Sequence, residues 1–146
     1  MLPDGKQKAE VFYDFMDYTI KHVCAELGLT VHAVRYYCDM GLVPGLRHDR
    51  NGNRIFDESS INWLRAVTFL RAGGMSIAQI QHYFALCQQG VSTLTERKAI
   101  LEQARDAAQK DMEEAAMRLH CLNEKINVCQ QAIEGRCADD CNPLNW

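Results

Sequence analysis

The sequence predicts a mainly α fold: a helix-turn-helix and a short β-hairpin, followed by one long helix carrying a coiled-coil seam. Three observations predict it. Two short apolar-periodic segments, each opened by a threonine and closed by a glycine, lie between Thr19 and Gly41. An Asn51-Gly52 pair separates two short runs of strand-like spacing. Between Thr93 and Gly135 there is no glycine or proline, and apolar residues recur there at steps of four and three.

Each element follows from local signals. Residues 1–16 form an N-terminal extension without firm punctuation, although Val11, Phe12, Phe15 and Met16 could pack on the body. Thr19 is an N-cap type; Ile20, Val23, Cys24 and Leu27 follow at helical spacing, and Gly28 occupies a C′ position. Thr30 opens a second helix, Val31 to Met40, closed by Gly41 and Pro44. Two such helices joined by a glycine-containing turn make the helix-turn-helix pattern, a spacing that many helical hairpins share. Asn51-Gly52 suits the two positive φ values of a type I′ turn and predicts a hairpin from Leu46 to Phe56. Asp57 caps a helix with Ile61, Leu64, Val67, Thr68 and Leu70 on one side, ending at Gly73-Gly74. Ser76-Ile77-Ala78-Gln79 has the form of a capping box, and the helix it opens runs to about Gln88 before Gly90. Thr93-Leu94-Thr95-Glu96 reads as a second box. The seam behind it is Ala108, Met112, Ala115, Leu119, Leu122, Ile126, Cys129 and Ile133. About 41 helical residues would reach about 60 Å, too far for one small body to cover, so the seam calls for a partner helix from a second copy.

Composition bounds what this chain does. Its 146 residues are 47% hydrophobic and 24% charged, enough for one stable core. No apolar run is long enough to span a membrane, and Met1 to Glu10 lacks the apolar region of a signal peptide, so a cytoplasmic location is expected. The net charge of −3 is unevenly spread. Residues 1–16 hold 2 basic and 3 acidic groups, residues 17–87 hold 7 and 6, and residues 88–146 hold 7 and 10. Arg47, His48, Arg50 and Arg54 cluster around a single acid, Asp49, either as a solvated loop or as a local phosphate contact. There is no glycine-rich phosphate loop, no His-Glu-x-x-His and no convincing nucleophile–base pair, so an enzyme is not expected.

Tyr18-Thr19-Ile20, Glu26-Leu27-Gly28-Leu29-Thr30, Arg35-Tyr36-Tyr37, Gly41-Leu42-Val43, Asn51-Gly52-Asn53-Arg54-Ile55-Phe56 and Leu70-Arg71-Ala72-Gly73-Gly74-Met75-Ser76-Ile77 together resemble the MerR family of bacterial transcription regulators. The likeness covers roughly residues 17–90, and the long helix matches by architecture. It implies a winged helix-turn-helix DNA-binding domain over 17–90, a dimerisation helix over 91–134 and a cysteine-containing effector tail over 135–146. The implied activity is an effector-responsive homodimer that controls transcription by distorting an overlong promoter spacer. Its implied partners are double-stranded promoter DNA, a second copy and bacterial RNA polymerase at the promoter, with no membrane. Two departures stand out: Cys38 replaces the acid that usually follows Arg-Tyr-Tyr, and Asn53 replaces the wing's usual tyrosine.

On a helix from Val31 to Met40, turning Val34, Tyr37 and Cys38 inward leaves His32, Ala33, Arg35, Tyr36 and Asp39 toward solvent. Arg35 can pair bidentately with guanine or bind phosphate, and Tyr36 can donate to phosphate. Tyr18 with Thr19 resembles the family's phosphate-contacting start of the first helix, and Arg47, Asn53 and Arg54 would be wing contacts. Tyr37 reads better as packing. Seven cysteines in a chain with no export signal read as thiols or ligands rather than a disulfide framework. Cys24, Cys38, Cys87, Cys121 and Cys129 suit packing roles, because a buried cysteine behaves as a small hydrophobe. Cys137 and Cys141 follow the helix end in a polar segment and can chelate a thiophilic metal ion or oxidise, with Cys129 as a third member of a Cys-x7-Cys-x3-Cys spacing. Because Gln130 to Glu134 still reads as helix, Cys129 and Cys137 need not approach. Beside the family's drug-sensing members, which attach a separate ligand-binding domain, a chain of this length is not expected to respond to aromatic or lipophilic effectors. The competing expectation is a metal- or thiol-binding coiled-coil interaction protein without sequence-specific DNA binding.

Overall fold

The computed structural model describes residues 16–146, so Val11, Phe12 and Phe15 lie outside the described residues; Met16 is exposed rather than packed. The elements run α1 (Ile20–Leu27), α2 (Val31–Asp39), β1 (Arg47–His48), β2 (Arg54–Ile55), α3 (Glu58–Ala72), α4 (Ile77–Gln88) and α5 (Leu94–Ile133), with 3₁₀ turns at Val91–Thr93 and Pro143–Asn145. They form two units. One takes the chain up to Ala72 with Ser76–Phe84, the other Gly73–Met75 with Ala85–Trp146.

In the first unit the helix starts are set by side chains. Thr19 accepts from the His22 N–H at 3.3 Å and Thr30 from the Ala33 N–H at 3.1 Å. Asp57 accepts from the backbone N–H and the hydroxyl of Ser60 at 2.8 and 2.9 Å, which holds its carboxyl below the usual carboxylate range. Ser76 and Gln79 exchange the two bonds of a capping box at 2.8 and 3.2 Å. The core joins Val23 of α1, Val34 of α2, Val43, Phe56, and Ile61 and Leu64 of α3, with Tyr37 and Cys38 packed around it. The Gln81 side chain of α4 donates to the Met40 carbonyl at the end of α2 (2.8 Å), satisfying an acceptor that helix termination leaves open.

The wing departs from the type I′ turn its Asn-Gly pair suggests. Strands β1 and β2 pair antiparallel, Arg47 opposite Ile55 and His48 opposite Arg54. Only Gly52 has positive φ (+80), so the turn is a three-residue loop, Arg50–Gly52, with Gly52 in the left-handed position. The cause is Asp49, whose carboxylate accepts from the N–H groups of Asn51 and Asn53, both at 2.8 Å, and from the Asn53 amide at 3.0 Å. A side chain that organises the turn this way displaces the dipeptide preference.

In the second unit α5 runs 40 residues and buries none of them within the chain. Thr93 does not cap it. It ends the preceding 3₁₀ turn at φ −95 and ψ 4, between the helical and extended regions, whereas an N-cap needs extended backbone. The Thr93 hydroxyl instead bonds the Leu86 and Gly90 carbonyls, both at 2.8 Å, and accepts from Arg97 at 3.1 Å. At the far end Gly135 (φ +73) closes α5: its N–H donates to the Ala132 carbonyl and that of Arg136 to the Gln131 carbonyl. Among the described residues no helix is long and apolar enough to cross a membrane.

Candidate nucleic-acid interface

An open groove of about 650 Å³ lies in the first unit, lined by Asp17, Tyr18, Thr19, Ile20, Lys21, Arg35, Asp49, Gly52, Asn53, Arg54 and Ile55. It therefore brings together five of the expected residues: Tyr18, Thr19, Arg35, Asn53 and Arg54. Tyr18 is set by a backbone bridge to Phe56 (2.7 and 3.1 Å), which ties the entry to α1 to the end of the wing, and its ring stacks on His22 at 4.5 Å. His32, Arg35, Tyr36 and Asp39 are exposed on α2, while Ala33, expected toward solvent, is half-buried. His32, Tyr36 and Arg47 lie outside the groove lining.

The arginines fall into two classes. Arg35 and Arg50 have no ion-pair partner among the described residues and are free to meet an anion. Arg47 is paired with Asp17 and Arg54 with Asp39, so Asp49 is not the only acid opposing the basic cluster. Asn53 donates one amide hydrogen to Asp49 and keeps the other. Lys21 is the cationic groove residue that sequence reasoning missed. A cation in the first turn of α1 opposes the helix dipole, and that misfit was the available signal.

The cysteines separate by setting. Cys24 and Cys38 are half-buried against the core. Burial pushes the Cys38 thiol up to about 11, with Arg54 pulling the other way. Cys87 is half-buried and accepts from Arg97 at 3.6 Å, whereas Cys121 is exposed. In the tail the Cys141 thiol donates to the Lys125 carbonyl of α5 at 3.4 Å, and the neighbouring Cys129, ahead of burial, raises the Cys141 thiol. Cys137 donates instead to the Val128 carbonyl at 3.8 Å. Cys141 is thus the tail thiol held at the Lys125 carbonyl, one helical turn before Cys129. Among the described residues no three His, Cys, Asp or Glu side chains are arranged to hold a metal ion, and two sulfurs alone do not make a closed tetrahedral site.

The family described as MerR HTH family regulatory protein matches residues 18–87, the span that carries both helices, the wing, α3 and most of α4. Residues 18–87, just under half of the chain, are thus similar to the helix-turn-helix segment of MerR-family transcription regulators. The chain's relatives are regulators rather than enzymes. The HTH-type transcriptional regulator AdhR of Bacillus subtilis is 35% identical over 86 residues, 59% of this chain and 61% of that protein, so the match spans less than two thirds of that relative's length. A MerR-family transcriptional regulator from Bacillus thuringiensis superposes with a TM-score of 0.62 at 29% identity, covering 77% of this chain and 98% of the other. HiNmlR, described as a MerR family regulator lacking the sensor domain and solved bound to promoter DNA, gives a TM-score of 0.63 at 27% identity, covering 82% and 94%.

Proposed function

We propose that this protein is a cytoplasmic, homodimeric, effector-responsive regulator of the MerR type that binds promoter DNA and acts on transcription by RNA polymerase through distortion of the spacer. The observation that carries the DNA-binding part is the groove, where Tyr18, Thr19, Lys21, Arg35, Asn53 and Arg54 converge between the exposed face of α2 and the wing. HiNmlR, of similar fold over most of both chains, was solved on promoter DNA, and this supports the same use here. Arg35, with His32 and Tyr36 beside it, is suited to base edges or phosphate, and the wing residues Arg47, Asn53 and Arg54 to phosphate. The acidic residues concentrated in 88–146 belong to the helix and tail, so the net charge of −3 does not oppose DNA binding. Domain limits at 17–90, 91–134 and 135–146 remain the working division. Cys129 near the end of α5 and the tail thiols Cys137 and Cys141 are the candidate sensing residues for an oxidant or a soft metal.

The test is fluorescence anisotropy on a fragment from upstream of the protein's own gene. Wild type should bind with a strong inverse salt dependence, because each phosphate contact releases counterions. Arg35→Ala and Arg54→Ala should each weaken binding by about tenfold or more, the size of one lost bidentate or phosphate contact, without altering the oligomeric state. Salt-insensitive binding, or wild-type affinity in both variants, would move the reading to an interaction protein built on α5.

A further inference from the structure

We propose that Cys129 and Cys141 are a closable dithiol, oxidised by a peroxide to an intrachain disulfide that fastens the tail onto α5, with Cys137 outside the pair. This rests on the thiol-sensing reading of the tail and names the bond it would form.

The placement follows from helix geometry. Side chains on an α-helix lean toward its N-terminus, so the Cys129 thiol leans over the turn that begins at Lys125. The Cys141 thiol occupies that level, donating to the Lys125 carbonyl at 3.4 Å. Cys137 sits by the Val128 carbonyl, which points along the helix toward the following turn and away from the lean of Cys129.

The tail is held there by its own bonds. Gly135 and Arg136 turn the chain back from the helix end. The Trp146 indole N–H donates to the Asp140 carbonyl at 2.9 Å and the Asn145 amide to the Asp139 carbonyl at 2.8 Å, closing 139–146 on itself around Cys141. The Lys125 ammonium lies 5.7 Å from the Trp146 ring centroid, securing the same loop to the same turn of α5. Lys125 therefore meets the tail twice, through its carbonyl and its ammonium.

The chemistry balances with one peroxide. One thiolate attacks a peroxide oxygen: an S–O bond forms, the O–O bond breaks, and the departing oxygen takes a proton as water or alcohol. The second thiolate attacks the resulting sulfenic sulfur: the S–S bond forms, the S–O bond breaks, and water leaves. Two thiols lose two electrons to one peroxide.

The test uses the reduced full-length protein. It is treated with one equivalent of hydrogen peroxide, capped with N-ethylmaleimide and peptide-mapped without reduction. Wild type and Cys137→Ser should yield the same Cys129–Cys141 linked peptide, and Cys141→Ser should yield no intrachain link. A Cys137–Cys141 link, a Cys129–Cys129 link between subunits, or equal linkage in Cys141→Ser would overturn the pairing. Promoter affinity of the oxidised and reduced forms is a separate readout, expected to differ by about fivefold or more, the ordinary size of an allosteric coupling. Linkage at Cys129–Cys141 with unchanged affinity would uphold the pairing and remove the sensing reading.

Discussion

Cys38 shows how one side chain is decided by where its helix face points. It stands where the family resemblance leads one to expect an acid, next to the exposed Asp39, on a helix offered to DNA. Yet it lies one position from Tyr37 and four from Val34, on the stripe that packs against Phe56 and Ile61. That inward stripe was legible from spacing alone, and it makes the residue a packing thiol. Lys21 was not legible in the same way, because its place in the groove depends on the wing folding back over α1. The Cys38 thiol is raised from 9.0 to about 11, burial outweighing the nearby Arg54 guanidinium. At neutral pH it stays protonated and is a poor nucleophile. Between the unfolded and folded values the native state holds the proton that the unfolded chain releases, so its contribution to stability is present below pH 9 and declines as pH rises toward 11. At pH 8 iodoacetamide should modify the exposed Cys121 well before Cys38 in the native protein, as read by peptide mass spectrometry. Equal rates would mean that Cys38 is not covered.

At the scale of elements the wing is held by three separate ties: the Tyr18–Phe56 bridge, Arg47 with Asp17, and Arg54 with Asp39. The last crosses from β2 to the end of α2 and engages an arginine expected to meet phosphate. Asp39→Asn has opposing consequences. It loosens one tie, but an exposed ion pair is worth only about 0.2–1 kcal/mol, and two other ties remain. It also frees Arg54 and removes a negative charge that would face the DNA backbone. The second effect wins, so promoter affinity should rise about two- to fivefold, the equivalent of losing a competing exposed pair. Anisotropy at fixed salt measures this, and weaker binding would show that Asp39 positions Arg54 for DNA rather than competing for it. The helix starts at Thr19, Thr30, Asp57 and Ser76 were legible because a cap is a bond within four residues. The wing turn and Thr93 were misread because the preference of a short motif was overridden by a neighbour: the Asp49 carboxylate in one case, the 3₁₀ turn before α5 in the other.

Across the whole molecule the unbalanced feature is α5. Met112, Leu119, Leu122, Ile126 and Ile133 are 59–80% exposed, all at seam positions. Apolar surface removed from water is worth about 25 cal/mol per Å², so an exposed seam of this length is a substantial unrealised term for one chain. Cys129 sits on the seam as well, one helical turn after Lys125, whose carbonyl accepts from the tail thiol Cys141. The periodicity made the seam legible; the tail contact was not, because nothing local says that the tail returns to that turn of the helix. Met117 separates seam from mere exposure: it is 64% exposed and lies off the four-and-three alternation. Leu119→Asp should convert the dimer to monomer in sedimentation equilibrium, because a carboxylate buried opposite a partner helix has no counter-charge there. It should also cut promoter affinity steeply, since a monomer gives up the simultaneous second half-site contact. Met117→Asp should leave both unchanged. If Met117→Asp dissociates the protein as readily as Leu119→Asp, the alternation does not mark the interface, and α5 meets its partner through another face.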